Sequence, residues 1–486
     1  MKMKKLFTII SVCLTLSACS FLDVNPKGET FDKDMFTSGE GYEDALYGVY
    51  SELATDENLF GGYYFWLPEI MGGNSTAIGD YKLGNMALLD WNTNGPISIR
   101  KEVWASSYEV INHLNNIITH AEDGGVDEFK YSRLYKGEAL ALRALVHFEL
   151  AGFFAYPYWS DASFRKEAIP YVTTYSFKIT PFSTLDEVYA FILKDLKEAE
   201  DLLEEDETLV EALDARDNSA AGFTDARTTH MNLYAVQALI ARVYWTMGDL
   251  DNAFVYAKKV IDSGKFGMRP LKAFVQPDNG TLDLNETVFG LYVGTEKSNY
   301  QTRSMTKYHL SGTTSTSSFT LASDWAALYD DGSSISGSDY RLGAWFDDGE
   351  VTLNKLVNSY YYGSSSSYTG SSILGASVIR IPEMYYIVAE YYLDKNDPES
   401  AADYFDTVVK SRGLDDLETL GVTLDYDRLY RERRKEFYGD GMVWYDLKHR
   451  KADITATSGT VYDGSSPVTW RIPVPDSEYE ARQNID

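Results

Sequence analysis

A chain of 486 residues can bury roughly three quarters of its unfolded surface, so a core can stabilise it without crosslinks. Its formal charge of -29, from 73 acidic against 44 basic residues, argues against a nucleic-acid or anionic-membrane surface, because counterion release needs clustered Lys and Arg. Aromatic residues reach 14%, with 37 Tyr and 9 Trp, and such side chains join a flat apolar face to a polar edge that suits both packing and stacking on pyranose rings.

Met1 to Cys19 carries Lys2, Lys4 and Lys5, then the apolar run Leu6 to Leu16. This run is shorter than the roughly 20 residues of a spanning helix and reads as a secretory signal. Its end, Leu16-Ser17-Ala18-Cys19, resembles a bacterial lipobox. Residues 1–18 are therefore expected to leave as a signal peptide, with Cys19 lipidated, so that the mature chain is anchored to a membrane and does not span it. Of the 2 Cys, Cys13 departs with the signal, which leaves no internal disulfide.

Residues 20–37 read as a tether. Tyr42, Ala45, Leu46, Val49 and Tyr50 fall at helical spacing. Residues 59–94 lack that period and are rich in Gly and aromatics, including Trp66, Tyr81, Trp91 and Asn94; a loop of this length in a compact domain is usually functional. Periodicity returns over 99–121 and 131–155, predicting one helical hairpin. Ser183-Thr184 is a capping signal for a helix to about residue 205.

Residues 237–261 place Ala241, Tyr244, Ala253, Ala257 and Val260 at the same offsets as Ala389, Tyr392, Ala401, Phe405 and Val408 in 379–414. Small residues where helix axes approach and bulky ones where they diverge predict tetratricopeptide hairpins. Since the two copies lie far apart in sequence, they are read as separate units and not as a tandem array. Between them, 266–377 breaks the pattern with Ser/Thr/Gly-rich runs and with Tyr300, Trp325 and Tyr361.

The last third carries Arg380 with Ala389-Glu390, Arg412-Gly413-Leu414, Arg433 to Phe437, Trp444 to Leu447, and Ile472-Pro473-Val474-Pro475 before Ser477-Glu478. These motifs are similar to those of the SusD/RagB-like outer-membrane nutrient-binding lipoproteins. Asp440 and Val443 stand where that family more often has Glu and Arg, which weakens the expectation of a salt bridge there but not the resemblance. Arg433, Arg434, Glu436 and Asp446 are spaced to pair across adjacent helices, a role in holding the fold together and not in catalysis.

The resemblance implies a mostly α fold: tetratricopeptide-like hairpins near 99–155, 184–263 and 379–412, in one domain over 19–486, with loop-rich insertions near 59–94 and 266–377 forming a ligand-binding face with short strands. It implies a surface-exposed, lipid-anchored outer-membrane protein that captures oligosaccharides and delivers them to a SusC-like, TonB-dependent transporter. Trp66, Tyr81, Trp91, Asn94, Tyr300, Trp325 and Tyr361 are the candidate ligand contacts. No catalytic residue, cofactor or metal is expected, since the sequence holds no metal-binding His pair, nucleophile elbow or phosphate loop. Two other readings stay open, a peptide-uptake lipoprotein of the same fold and a surface glycoside hydrolase whose paired carboxylates only a structure could reveal.

Overall fold

The computed structural model describes residues 34–78, 81–124, 129–213, 222–271, 282–292, 318–321, 325–329, 339–347, 352–353, 355, 375–456 and 458–483. Among the described residues no helix is long and apolar enough to cross a membrane. The fold is mostly α, with short two-stranded sheets.

Helix α1 (Gly39–Thr55) starts on the Ser38 side chain, which accepts from the backbone N–H of Gly41. Residues 59–94, expected as a loop, instead hold α2 (Tyr63–Met71), strand β1 (Ser75–Ile78) and α3 (Tyr81–Ala87). Every residue of α2 is buried, and a helix covered on all sides carries no amphipathic stripe for periodicity to detect.

Helices α4 (Asn94–Gly124) and α5 (Ser132–Phe154) pack together as expected, and α5 packs on α6 (Leu185–Leu202). A capping box formed by Thr184 and Glu187 opens α6. After a single turn, α7 (Asp206–Leu209), come α8 (Leu233–Met247) and α9 (Leu250–Asp262), with α6 against α8.

Strand β2 (Thr287–Tyr292) pairs antiparallel with β6 (Gly375–Arg380), Tyr292 lying opposite Gly375. The chain therefore leaves and re-enters the frame at neighbouring points, and residues 293–374 are an excursion between them. Its described parts are β3 (Ser318–Leu321), α10 (Trp325–Tyr329), α11 (Tyr340–Trp345), β4 (Phe346–Asp347) and β5 (Thr352–Leu353). Strand β6 runs straight into α12 (Ile381–Asp394), which pairs with α13 (Pro398–Ser411).

The two matching hairpins, separate in sequence, are neighbours in space, because α9 packs on α12. Ala241, Ala253, Ala257, Ala389 and Ala401 are all buried, as close axial approach requires. Trp245 Nε1 donates to Glu390 Oε2 at 2.6 Å, and Arg242 grips Glu383 at 2.6 Å, so polar bonds as well as packing join α8 to α12. The helices α4, α5, α6, α8, α9, α12 and α13 thus form one continuous stack, and the excursion leaves it between two adjacent layers.

The chain ends with α14 (Leu417–Leu420), α15 (Tyr426–Glu436), α16 (Val443–Arg450), the hairpin β7 (Ile454–Thr455) and β8 (Val461–Tyr462), and α17 (Asp476–Gln483). Helix α15 packs on α12, and α16 on α2.

Candidate functional site

The two irregular segments meet. Strand β1 pairs antiparallel with β3, Ser75 opposite Leu321 and Ile78 opposite Ser318, so residues some 240 positions apart in sequence share one ladder. A second short ladder, β4 with β5, lies beside it, and β3 contacts β5.

A buried ionic cluster holds this face to the frame. Arg341 and Asp339 of the excursion form a 2.6 Å pair, and Arg341 also bonds Glu432 of α15 at 2.6 Å. Glu436, one turn later, receives Arg380 at 2.6 Å and Arg412 at 2.8 Å, while Arg412 reaches Glu286 at 2.8 Å. Lys355 and Arg380 share Asp440 at 2.8 and 2.6 Å, and Lys435 bonds Glu432 at 2.7 Å. Cations and carboxylates alternate, so each buried charge has an opposite neighbour, the condition under which such groups are tolerated away from water.

Burial opposes ionisation of Glu436, but Arg412, Arg380 and Arg341 outweigh it and hold the carboxyl well below its usual range. Burial, helped by Arg380, lowers the Lys355 ammonium to about 8 against the pull of Asp440 and Glu436. The Trp345 ring lies beneath this cluster, 4.3 Å from Lys355 Nζ.

Asp440, where the family more often has Glu, pairs with both Arg380 and Lys355 and with nothing at Val443, which has no charge. Arg433 pairs with Asp446 at 2.7 Å as expected, whereas Arg434 donates to the Asn74 side chain at 2.7 Å and ties α15 to the start of β1. Asn74 in turn donates to Glu69, which also accepts from the backbone of Gly441. Burial raises the Glu69 carboxyl to about 7 despite these bonds.

The candidate contacts divide. Trp66 is only 1% exposed and packs edge to face with Tyr63; its ring is core and offers no face to a ligand, which corrects its selection as a platform. Trp91 is half-buried against the core, and Asn94 is exposed at the first residue of α4. Trp91 lies on the connection between α3 and α4 and Asn94 at its end, where Ile97 N–H bonds Thr93 O to start the helix. Tyr81 opens α3 and Trp325 opens α10. Tyr300, Tyr361 and the lipidation candidate Cys19 lie outside the described residues.

Comparison with known proteins agrees with this architecture. A family model described as "Starch-binding associating with outer membrane", for SusD-like proteins, matches residues 21–245, the "SusD family" model matches 285–465, and a tetratricopeptide repeat model matches 234–263. SusD-like protein P2 of Formosa agariphila is 26% identical over 311 residues, 59% of this chain and 52% of that relative, so the match spans about half of the relative's length. A SusD superfamily protein from Bacteroides thetaiotaomicron superimposes with a TM-score of 0.71 at 22% identity, covering 93% of this chain and 99% of that one. A SusD-like carbohydrate binding protein from Bacteroides vulgatus gives 0.63 at 20% identity, covering 86% and 84%. With two family models side by side along the sequence and the same fold in these structures, the chain belongs to the SusD/RagB-like family.

Proposed function

We propose that this protein is a lipid-anchored glycan-binding protein of the outer-membrane surface, which captures oligosaccharides on the β1/β3 face and delivers them to a TonB-dependent transporter. The observation that supports this reading is the β1–β3 ladder, which joins the irregular segment 59–94 to the excursion just ahead of Trp325; we assign Trp91, Asn94 and Trp325 to the face it forms. Aromatic rings with polar edges beside an exposed amide are the groups that stack on sugar faces and bond their hydroxyls. Family membership supports the surface location and the partnership with a transporter, and Asp339, Arg341 and Lys355 of the excursion are engaged in ion pairs that hold it in place.

The test is a glycan array beside a peptide panel, using the mature chain, followed by titration of the best ligand into Trp91→Ala and Asn94→Ala. Each change is expected to weaken oligosaccharide binding about fivefold, the equivalent of ~1 kcal/mol for one aromatic contact. Binding confined to peptides would replace the glycan reading with peptide uptake. Release of reducing sugar from the bound oligosaccharide would make the protein a hydrolase. Co-purification with a barrel transporter tests the delivery step.

A further inference from the structure

A cavity of about 580 Å³ lies between α4, residues 170–180 and α17, and none of its lining residues belongs to the β1/β3 ladder. Its volume falls within the roughly 300–1,000 Å³ of small-ligand sites. Helix α4 supplies Lys101, Trp104, Tyr108 and Asn112, spaced 3, 4 and 4 residues apart along one side.

The opposite wall is built by side chains that hold its backbone. Tyr108 OH donates to Pro170 O at 2.8 Å, Asn115 Nδ2 to Val172 O at 3.1 Å, and Arg482 Nη1 to Thr180 O at 2.7 Å. Between these anchors residues 173–179 are exposed, including Tyr175, Ile179 and a fully exposed Phe177. At the end of the groove Glu478 accepts from Trp104 Nε1 at 3.3 Å and from Arg482 at 2.6 Å.

The charge is also local. The Glu478–Arg482 pair cancels, while Lys101 and Lys178 line the cavity and form no ion pair among the described residues. In a chain of net charge -29, two such lysines at one cavity set it apart and favour an anion there. An extended peptide would need open backbone groups, yet three carbonyls of the wall are already occupied by Tyr108, Asn115 and Arg482.

We propose that this groove is a second binding site, for an oligosaccharide carrying acidic groups, either uronate carboxylates or sulfate esters. The Tyr175 and Phe177 rings cover sugar faces, Lys101 and Lys178 meet the acidic groups, and the Asn112 amide meets a hydroxyl. This site does not depend on the reading of the Trp91–Asn94 face.

The experiment is calorimetric titration of the mature chain with a galacturonate oligosaccharide, a sulfated galactan oligosaccharide, a neutral cello-oligosaccharide and polyglutamate. One or both acidic sugars should bind, more weakly as salt is raised. Combined Lys101→Ala and Lys178→Ala should reduce that affinity about tenfold, and Phe177→Ala, at a position with no packing to lose, should reduce it severalfold. Trp91→Ala should leave it unchanged, so the two sites can fail separately. Absence of acidic-sugar binding, binding indifferent to the lysines, equal binding of the neutral sugar through this groove, or lysine-dependent binding of polyglutamate alone would each overturn the proposal.

Discussion

Arg412 and Glu436, from the ends of α13 and α15, meet at 2.8 Å with neither side chain more than 1% exposed. Around this pair the frame supplies Glu286, Arg380 and Glu432, and the excursion supplies Asp339, Arg341 and Lys355. The excursion is thus attached to the helical stack by buried charges as well as by the apolar cluster of Tyr329, Trp345, Phe346 and Leu353 with Tyr438, and removal of one charged member leaves several buried charges without their counterpart.

Glu436→Gln removes the charge that faces Arg341, Arg380 and Arg412 while keeping side-chain volume. Breaking a buried ion pair on one side costs about 3–5 kcal/mol. Thermal or denaturant unfolding should register a loss of that order, and limited proteolysis should cut 293–374 faster. An unchanged unfolding midpoint would show that the cluster contributes nothing to attachment.

Gly413 follows Arg412 with φ at +83°, and a Cβ built there would lie 2.4 Å from the Tyr340 ring. Arg412 O also accepts from Tyr340 N–H at 3.0 Å, so the turn is a docking point for α11. Gly413→Ala combines left-handed strain with overpacking and should destabilise by about 2–4 kcal/mol, measured by urea unfolding.

Stability should fall, then rise, as pH increases through neutrality. Burial raises Glu69 to about 7 and Glu149 to about 6 from 4.5, so their contribution is complete below about 4.5 and is lost as pH rises through 6 to 7. Burial lowers Lys448 from 10.5 to about 7; the unfolded chain then holds the extra proton between 7 and 10.5, and stability climbs across that window. Lys448→Met should flatten the climb between 7 and 8 in a series of melting temperatures and leave above 8 the part that Lys355, lowered to about 8, contributes. In acid, burial opposes ionisation of Glu138 and Glu390, but Arg227 and His230 at the first and His449 at the second hold both near 2. Their contribution is present above 4.5 and disappears as pH falls toward 2.

Trp66→Ala and Trp91→Ala should separate core from surface. Emptying the site of a tryptophan that is 1% exposed costs about 3–5 kcal/mol and should leave oligosaccharide affinity unchanged wherever the protein remains folded. Trp91→Ala should do the reverse, with a small change in melting temperature and a measurable loss of affinity. The same ordering in both assays would remove Trp91 from the binding face.

The sequence alone determined the elements whose pattern is local. Ala241 and Ala253, with their counterparts Ala389 and Ala401, marked two hairpins because close helix approach demands small residues at fixed spacing, and Ser183-Thr184 marked a helix start because a cap acts within one turn. It did not reveal α2, since a helix buried on every side has no polar face to give it a period, and for the same reason Trp66 was indistinguishable from an exposed platform. Only the tertiary structure decided that the two hairpins are adjacent, that β1 and β3 join the irregular segments, and that Arg341, Arg380, Arg412, Glu286 and Glu436 form one cluster. These are relations between residues up to hundreds of positions apart, set by how whole helices stack, and no short-range spacing encodes them.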